Sequence, residues 1–283
     1  MIQCIQFRKS SFLGDSAWLT VPWGDTGKDV HQRLYDKGFA LGALLEEIDN
    51  SNLTNTGIRS SQLCSYLQRC SEMHIDFEAW YQELLKQSPS PLYWTTKSNV
   101  TSDSTKELPP NDAPNSQTLS PFSFSSLRLA YITATFWALK LILSSTIALT
   151  CGAILSNESA TRSISADPNP AVDLRNTAHR LLSEYGSSQR LELATNIMRS
   201  MAYCLNDSMG LLGAAKSLFP LRVALFALRR QPGEELKWCQ AVYQELETKK
   251  GLRYAREIAK LDGKYSAAGL AVQHGSATLG EDG

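Results

Sequence analysis

Apolar positions recur every three to four residues along most of the chain, the mark of helices that turn one face to a core. Between Asp29 and Ile48 the residues Val30, Leu34, Leu41, Leu45 and Ile48 fall near spacings of three, four and seven, with Lys37, Glu46 and Glu47 at other angles. A second helix is predicted from about Ser60, with Leu63, Leu67 and Cys70 on one side. A third is predicted over Asp76 to Gln87, with Phe77, Trp80, Tyr81, Leu84 and Leu85 as its apolar residues. Ser88-Pro89-Ser90-Pro91 stops it, because proline lacks an N–H donor and disfavours helix in the residue before it.

Phe122 to Leu155 is the most apolar stretch, and from Leu129 to Leu155 its one formal charge is Lys140. At about 1.5 Å per residue such a helix is long enough for a bilayer core of roughly 30 Å. Against a membrane span, Lys140 would sit near the middle, where a cation costs on the order of 3 kcal/mol. Ser144, Ser145, Thr146 and Thr150 weaken the drive into lipid further, and no second span of comparable length is read elsewhere. A buried central helix accounts for the same residues, and membrane association is not expected.

The second half continues the helical pattern. Val172 to Tyr185 carries Leu174, Ala178, Leu181, Leu182 and Tyr185, with Gly186 suited to a C-terminal cap. Gln189 to Leu205 carries Leu191, Ala194, Met198, Met201 and Leu205. Leu211 to Arg230 holds Pro220, which is expected to start a new helix or kink the old one. Pro232-Gly233-Glu234-Glu235 opens another helix with two acids at its positive dipole end. It runs to about Lys250 with Leu236, Cys239, Val242, Tyr243 and Leu246 inward; Gly251 ends it, and Leu252 to Leu261 forms a last helix. No alternating run reads as a strand and no repeat is present. The expected fold is all-α, an irregular multi-helix bundle around the apolar helix at about 122–155.

Composition divides the chain. Thr95 to Ser120 is rich in Ser, Thr, Asn, Asp and Pro and has no aromatic residue, so it reads as a surface loop or disordered insertion. Asn157 to Pro170 is a smaller break of the same kind. The expected organisation is an N-terminal segment over 1–18, a helical domain over 19–264 carrying the 95–120 insertion, and a flexible tail over 265–283.

Across 283 residues, 28 Lys+Arg balance 28 Asp+Glu, and 43% of the chain is hydrophobic. That balance suits a globular protein rather than a disordered chain or a free-standing binder of nucleic acid, whose phosphate affinity needs basic excess. Met1 to Phe12 lacks the shape of a signal peptide, so an intracellular address is expected and the N-x-S/T triplets at Asn52, Asn99, Asn157 and Asn206 are chance occurrences. The six cysteines, Cys4, Cys64, Cys70, Cys151, Cys204 and Cys239, form no C-x-x-C pair and read as reduced thiols, several in apolar stripes.

Local catalytic signatures are missing from the sequence. His31, His74, His179 and His274 are far apart and read as surface or capping residues. No G-x-G-x-x-G, G-x-x-x-x-G-K-[ST] or G-x-S-x-G occurs. Asn206-Asp207 resembles the start of a magnesium motif of terpene cyclases, but Gly210 and Ala214 stand where a hydroxyl and an acid are needed, so a capping turn is expected. Lys249, Lys250, Arg253, Arg256, Lys260 and Lys264 gather near the C-terminus, interleaved with Glu245, Glu247, Glu257 and Asp262, as on a solvated helix face.

The stretch from Met201 to Ala224 passes through Asn206-Asp207-Ser208-Met209-Gly210 and Ser217-Leu218-Phe219-Pro220-Leu221-Arg222-Val223-Ala224. It continues through Leu225-Phe226-Ala227-Leu228 into Glu234-Glu235-Leu236-Lys237-Trp238-Cys239. With Phe77-Glu78-Ala79-Trp80-Tyr81, Pro91-Leu92-Tyr93-Trp94 and Phe124-Ser125-Ser126-Leu127-Arg128-Leu129-Ala130, it resembles the C-terminal regulatory region of fungal zinc binuclear cluster (six-cysteine) transcription factors. The likeness is strongest to regulators found with secondary-metabolite gene clusters and spans roughly Leu19 to Lys264. It implies a helical fold, a nuclear location (cytoplasmic otherwise), no enzymatic activity, and action through protein partners such as a full-length family member or the transcription machinery. In that family DNA is read by an N-terminal module of six closely spaced cysteines holding two zinc ions. None of the cysteines here has that spacing, so no catalytic, cofactor-binding or metal-binding residue carries over. DNA binding by this chain alone is doubtful on that account, and zinc is expected only if such a cluster precedes the sequence. Candidate partner contacts are Arg222, Arg229 and Arg230 near exposed helix ends, Arg253, Arg256 and Lys260 on the C-terminal helix face, and Trp238 and Tyr243. An alternative is a small-molecule pocket between helices, which Trp80, Trp94, Tyr131 and Trp137 would line or fill.

Overall fold

The computed structural model describes residues 1–51, 60–88, 91–95, 120–156, 170–229 and 233–252. These build a multi-helix bundle around α5 (Leu127–Ser156). That helix is hydrophobic on every side and is enclosed by α4 (Ser60–Gln87), α6 (Pro170–Glu184), α7 (Ser187–Cys204) and α8 (Gly210–Leu228). Three of its hydroxyls donate back to its own preceding turn: Ser145 to the Leu141 carbonyl (2.8 Å), Thr146 to Ile142 (2.9 Å) and Thr150 to Thr146 (3.0 Å). Lys140 pairs with Glu78 of α4, and its Nζ lies 5.6 Å from the Phe136 ring centroid.

Against both α4 and α5 packs α3 (Val30–Ser51), whose predicted stripe of Val30, Leu34, Leu41, Leu45 and Ile48 is buried throughout. The short α1 (Ile2–Phe7) packs on α3 through Ile5 and is fastened there by charge. Arg8 donates twice to Asp49, each at 2.6 Å, and Lys9 pairs with Glu46 at 2.9 Å. A further short helix, α2 (Ser16–Thr20), and 3-10 turns at Phe12–Gly14 and Val21–Thr26 complete the N-terminal region.

Several expectations need correction. The two helices expected over residues 60–87 are one, because Ser71 to Ile75 contains neither Gly nor Pro and the buried stripe runs on from Cys70 to Phe77. Of the apolar residues named there, Leu85 is exposed. Strands exist: β1 (Tyr93–Thr95) pairs antiparallel with β2 (Phe122–Phe124) in the register Tyr93↔Phe124, Trp94↔Ser123, Thr95↔Phe122. At three residues each they are too short for alternation to declare them, and aromatic packing carries them, with Tyr93 at 4.5 Å from Phe122 and 5.4 Å from Trp137. They set side by side the two ends of the insertion, whose residues 96–119 lie outside the described residues.

Gly186 is not a left-handed C-cap; it has φ −69° and is the N-cap of α7. A Cβ there would meet the Leu182 carbonyl oxygen at 3.1 Å, so the tight α6–α7 turn explains the glycine. Pro220 neither starts nor ends a helix but lies buried inside α8, where packing against α5 and α7 overrides the lost hydrogen bond. That continuity yields a second apolar helix, contrary to the expectation of one. Leu127–Ser156 and Asp207–Leu228 are both long and apolar enough to cross a membrane by length and composition, and the most apolar stretch of each is more than half buried in the fold. Glu234 and Glu235 open α9 (Glu234–Thr248), and Gly251, at φ +70°, follows its end. The expected helix at Leu252–Leu261 and the tail lie outside the described residues, apart from Leu252.

Candidate functional site: an arginine-lined cleft

A cleft of about 140 Å³ opens where α1, α3, α5, α7 and α8 converge. Helical periodicity builds its walls. From α7 come Ser187, Arg190, Leu191 and Ala194, and from α8 come Phe219, Arg222, Val223, Phe226 and Ala227, each set on one helix face. Leu141, Ile142 and Ser145 of α5 form the floor, while Ile5, Gln6 and Arg8 close the N-terminal side. Among the described residues three charged side chains line it, and all three are arginines: Arg8, Arg190 and Arg222.

Their environments differ. The Arg8 guanidinium is oriented by its two bonds to Asp49. Arg222 is only 6% exposed and lies over the Phe226 ring at 5.4 Å, and Arg229 lies over the same ring at 5.1 Å. Behind Arg222, burial raises the Tyr243 phenol well above its usual range despite the two arginine charges.

Arg222 therefore departs from its expected role as an exposed contact. Because α8 continues through Pro220, Arg222 falls inside a helix rather than at a new helix end, and its side chain turns into the molecule. Arg229 does follow the end of α8 and is half-buried. Arg230, Arg253, Arg256 and Lys260 lie outside the described residues. Tyr243 is buried and Trp238 half-buried against the core. Trp80, Tyr131 and Trp137 fill the core and none lines the cleft; Trp80 donates its Nε1–H to the Val30 carbonyl at 2.6 Å. Trp94 is exposed on β1.

Burial pushes the thiols of Cys70 and Cys239 up to about 12 and those of Cys151 and Cys204 up to about 11, which leaves them poor nucleophiles. His74 is half-buried. It sits between Glu78, at 3.8 Å, and the edge of Tyr185, at 5.0 Å between centroids. Among the described residues no three His, Cys, Asp or Glu side chains gather as a metal site. Asn206 caps the turn before α8, its Oδ1 accepting from the Ser208 N–H at 3.0 Å.

Large exposed apolar side chains include Phe7, Phe12, Trp18 and Val21 in the N-terminal region, Ile75 on α4, Trp94 on β1, and Leu211 and Leu212 at the start of α8. Comparison with protein-family models, with curated proteins and with solved structures finds no match for the chain.

Proposed function

We propose that this chain is a non-enzymatic helical regulatory domain of the fungal zinc-cluster type, working in the nucleus through protein contacts, in control of a secondary-metabolite gene cluster. The observation that supports it is that the residues bearing the resemblance, Met201 to Leu228 and Glu234 to Cys239, form scaffold: they build α8 and parts of α7 and α9, with α7 and α8 packed on each other and on α5 and with α9 packed on α8. Exposed Phe12, Trp18, Leu211 and Leu212 supply apolar surface for a partner such as a full-length family member. Deleting the encoding gene and measuring transcripts of its neighbours tests this. Altered transcription of a contiguous gene set is expected, and unchanged transcription of every neighbour overturns it.

The cleft favours a second reading, that the domain binds a small-molecule effector. Clefts between helices are common ligand sites when apolar walls surround a few converging polar groups, as Arg222 and its neighbours do here.

A further inference from the structure

We infer that Ser120 is a phosphorylation site for a proline-directed protein kinase, and that Arg199 of α7 receives the phosphate. Three serines of the chain precede a proline: Ser88, Ser90 and Ser120. Kinases of this class read the proline ring, which brings no N–H to be stripped of water, and they bind the substrate backbone extended. A residue before proline is biased toward that extended form. Ser120 is exposed and lies ahead of β2, so its hydroxyl is open to an incoming enzyme. Ser88 is half-buried, and its N–H still bonds the Leu84 carbonyl at 3.0 Å, continuing the last turn of the 28-residue α4. The negative end of that helix repels a phosphate. Ser90 lies outside the described residues.

What singles out Ser120 is the cation already set beside it. Arg199 donates its Nε–H to the Ser120 carbonyl at 2.8 Å, and its guanidinium lies 3.8 Å from the Phe122 ring centroid. Among the described residues these two partners are uncharged, and no carboxylate pairs with this half-buried arginine. Its Nη groups carry further N–H donors in the fork that phosphate oxygens match. Because β2 packs on α7, the two residues are held together before any modification. In the transfer, the Ser120 Oγ attacks the γ-phosphorus of the nucleoside triphosphate that the kinase supplies. An Oγ–P bond forms, the bond to the β–γ bridging oxygen breaks, and the nucleoside diphosphate leaves with that electron pair. The hydroxyl proton passes to a carboxylate of the kinase. The product carries about −1.5 to −2 charges at pH 7 and three acceptor oxygens. It adds bonds between opposite charges to one exposed bond with an uncharged acceptor, and so fastens the chain ahead of β2 to α7.

Two experiments on the full chain test this. The first is incubation with a cyclin-dependent kinase and ATP, with the modified residues mapped by mass spectrometry. Phosphate on Ser120 is expected, and Pro121→Ala should slow its appearance by about tenfold or more. Phosphate on other residues only, or none, overturns the site, and an undiminished rate in Pro121→Ala overturns proline direction. The second experiment places phosphoserine at position 120 during translation, which bypasses the kinase. A rise in melting temperature of roughly 2–4 °C over the unmodified chain is expected, and Arg199→Gln should abolish the rise. An equal rise in Arg199→Gln, or none in the native sequence, overturns the role of Arg199. Phosphorus NMR of the phosphorylated native sequence decides the contact without any variant. A guanidinium at the phosphate should hold its second pKa below the roughly 6 of free phosphoserine, and a value at or above that one overturns the pairing.

Discussion

Lys140, on the most apolar helix of the protein, is paired with Glu78 across the α4–α5 contact, its side chain 13% exposed against 41% for the glutamate. The asymmetry has an energetic consequence. Glu78→Gln leaves a mostly buried ammonium without its counter-charge. Complete loss of a partner in the interior costs about 3–5 kcal/mol, and the hydration left to this pair reduces that to roughly 1–2 kcal/mol. Lys140→Met instead replaces the cation with hydrocarbon and leaves a glutamate that water reaches, so its cost should be less than half as large. Urea unfolding of the two single variants and the double variant measures this. Equal losses from both single variants would refute the asymmetry.

Two glycines of the helical core should respond in opposite directions. A Cβ on Gly213 would lie 2.1 Å from the Cys204 carbonyl oxygen and 2.8 Å from the Met209 Cβ, so the end of α7 and the turn before α8 leave no room. Gly213→Ala is expected to destabilise by about 1–3 kcal/mol, its better helix propensity notwithstanding. A Cβ on Gly152, inside α5, would meet nothing within 4 Å, and Gly152→Ala should stabilise by about 0.5–1 kcal/mol. Denaturant midpoints decide both signs.

Much of the fold was legible because it is written in local periodicity. The stripe Val30, Leu34, Leu41, Leu45, Ile48 and the all-round apolar character of residues 129–155 translate directly into a buried face and an enclosed helix. Failures came where tertiary packing overruled a local rule. Pro220 continues a helix it was expected to interrupt, and Arg222 consequently moves from a helix end to the interior. The cleft was not legible at all. Arg8 follows α1 while Arg190 and Arg222 come from α7 and α8, each unexceptional in its own segment, and only the fold joins them. Serine, arginine and leucine at Ser187, Arg190 and Leu191 do share a face, but that spacing is common on any amphipathic helix.

The pairing Thr95↔Phe122 brings the chain together at both ends of the intervening segment, which predicts that the bundle folds with that segment shortened. Replacing residues 96–121 with Asn-Gly asks for a two-residue hairpin turn between strands already in register. It shortens the connection by between three and four doublings, each about 0.6 kcal/mol of closure entropy. Against this stands the loss of the Ser120 carbonyl that accepts from Arg199 at 2.8 Å, an exposed bond. The shortened variant should unfold cooperatively and at least as late in urea as the native chain. A non-cooperative transition would show that the segment contributes to the core.

Acid sensitivity should centre on His74. Burial disfavours its imidazolium and Lys140 repels it, which outweighs the attraction of Glu78 and Glu184 and holds its pKa below the usual 6.5. His31 is lowered as well, first by burial and then by Arg128, against Asp29. With the folded values below 6.5, the unfolded chain binds these protons first as pH falls. The contribution of the neutral rings is fully present above about 6.5 and is lost as pH drops from there through the folded values. Melting temperature should accordingly decline from about pH 7 toward pH 5, and His74→Gln should flatten that decline, with His31→Gln flattening it further. The carboxyl of Glu46 is held down to about 2 by Ser10 and Lys9, so its own loss falls below the usual 4.5 and does not overlap the histidine window. A melting profile between pH 7 and pH 5 with the same slope in the native chain and the His74→Gln variant would remove His74 from this role.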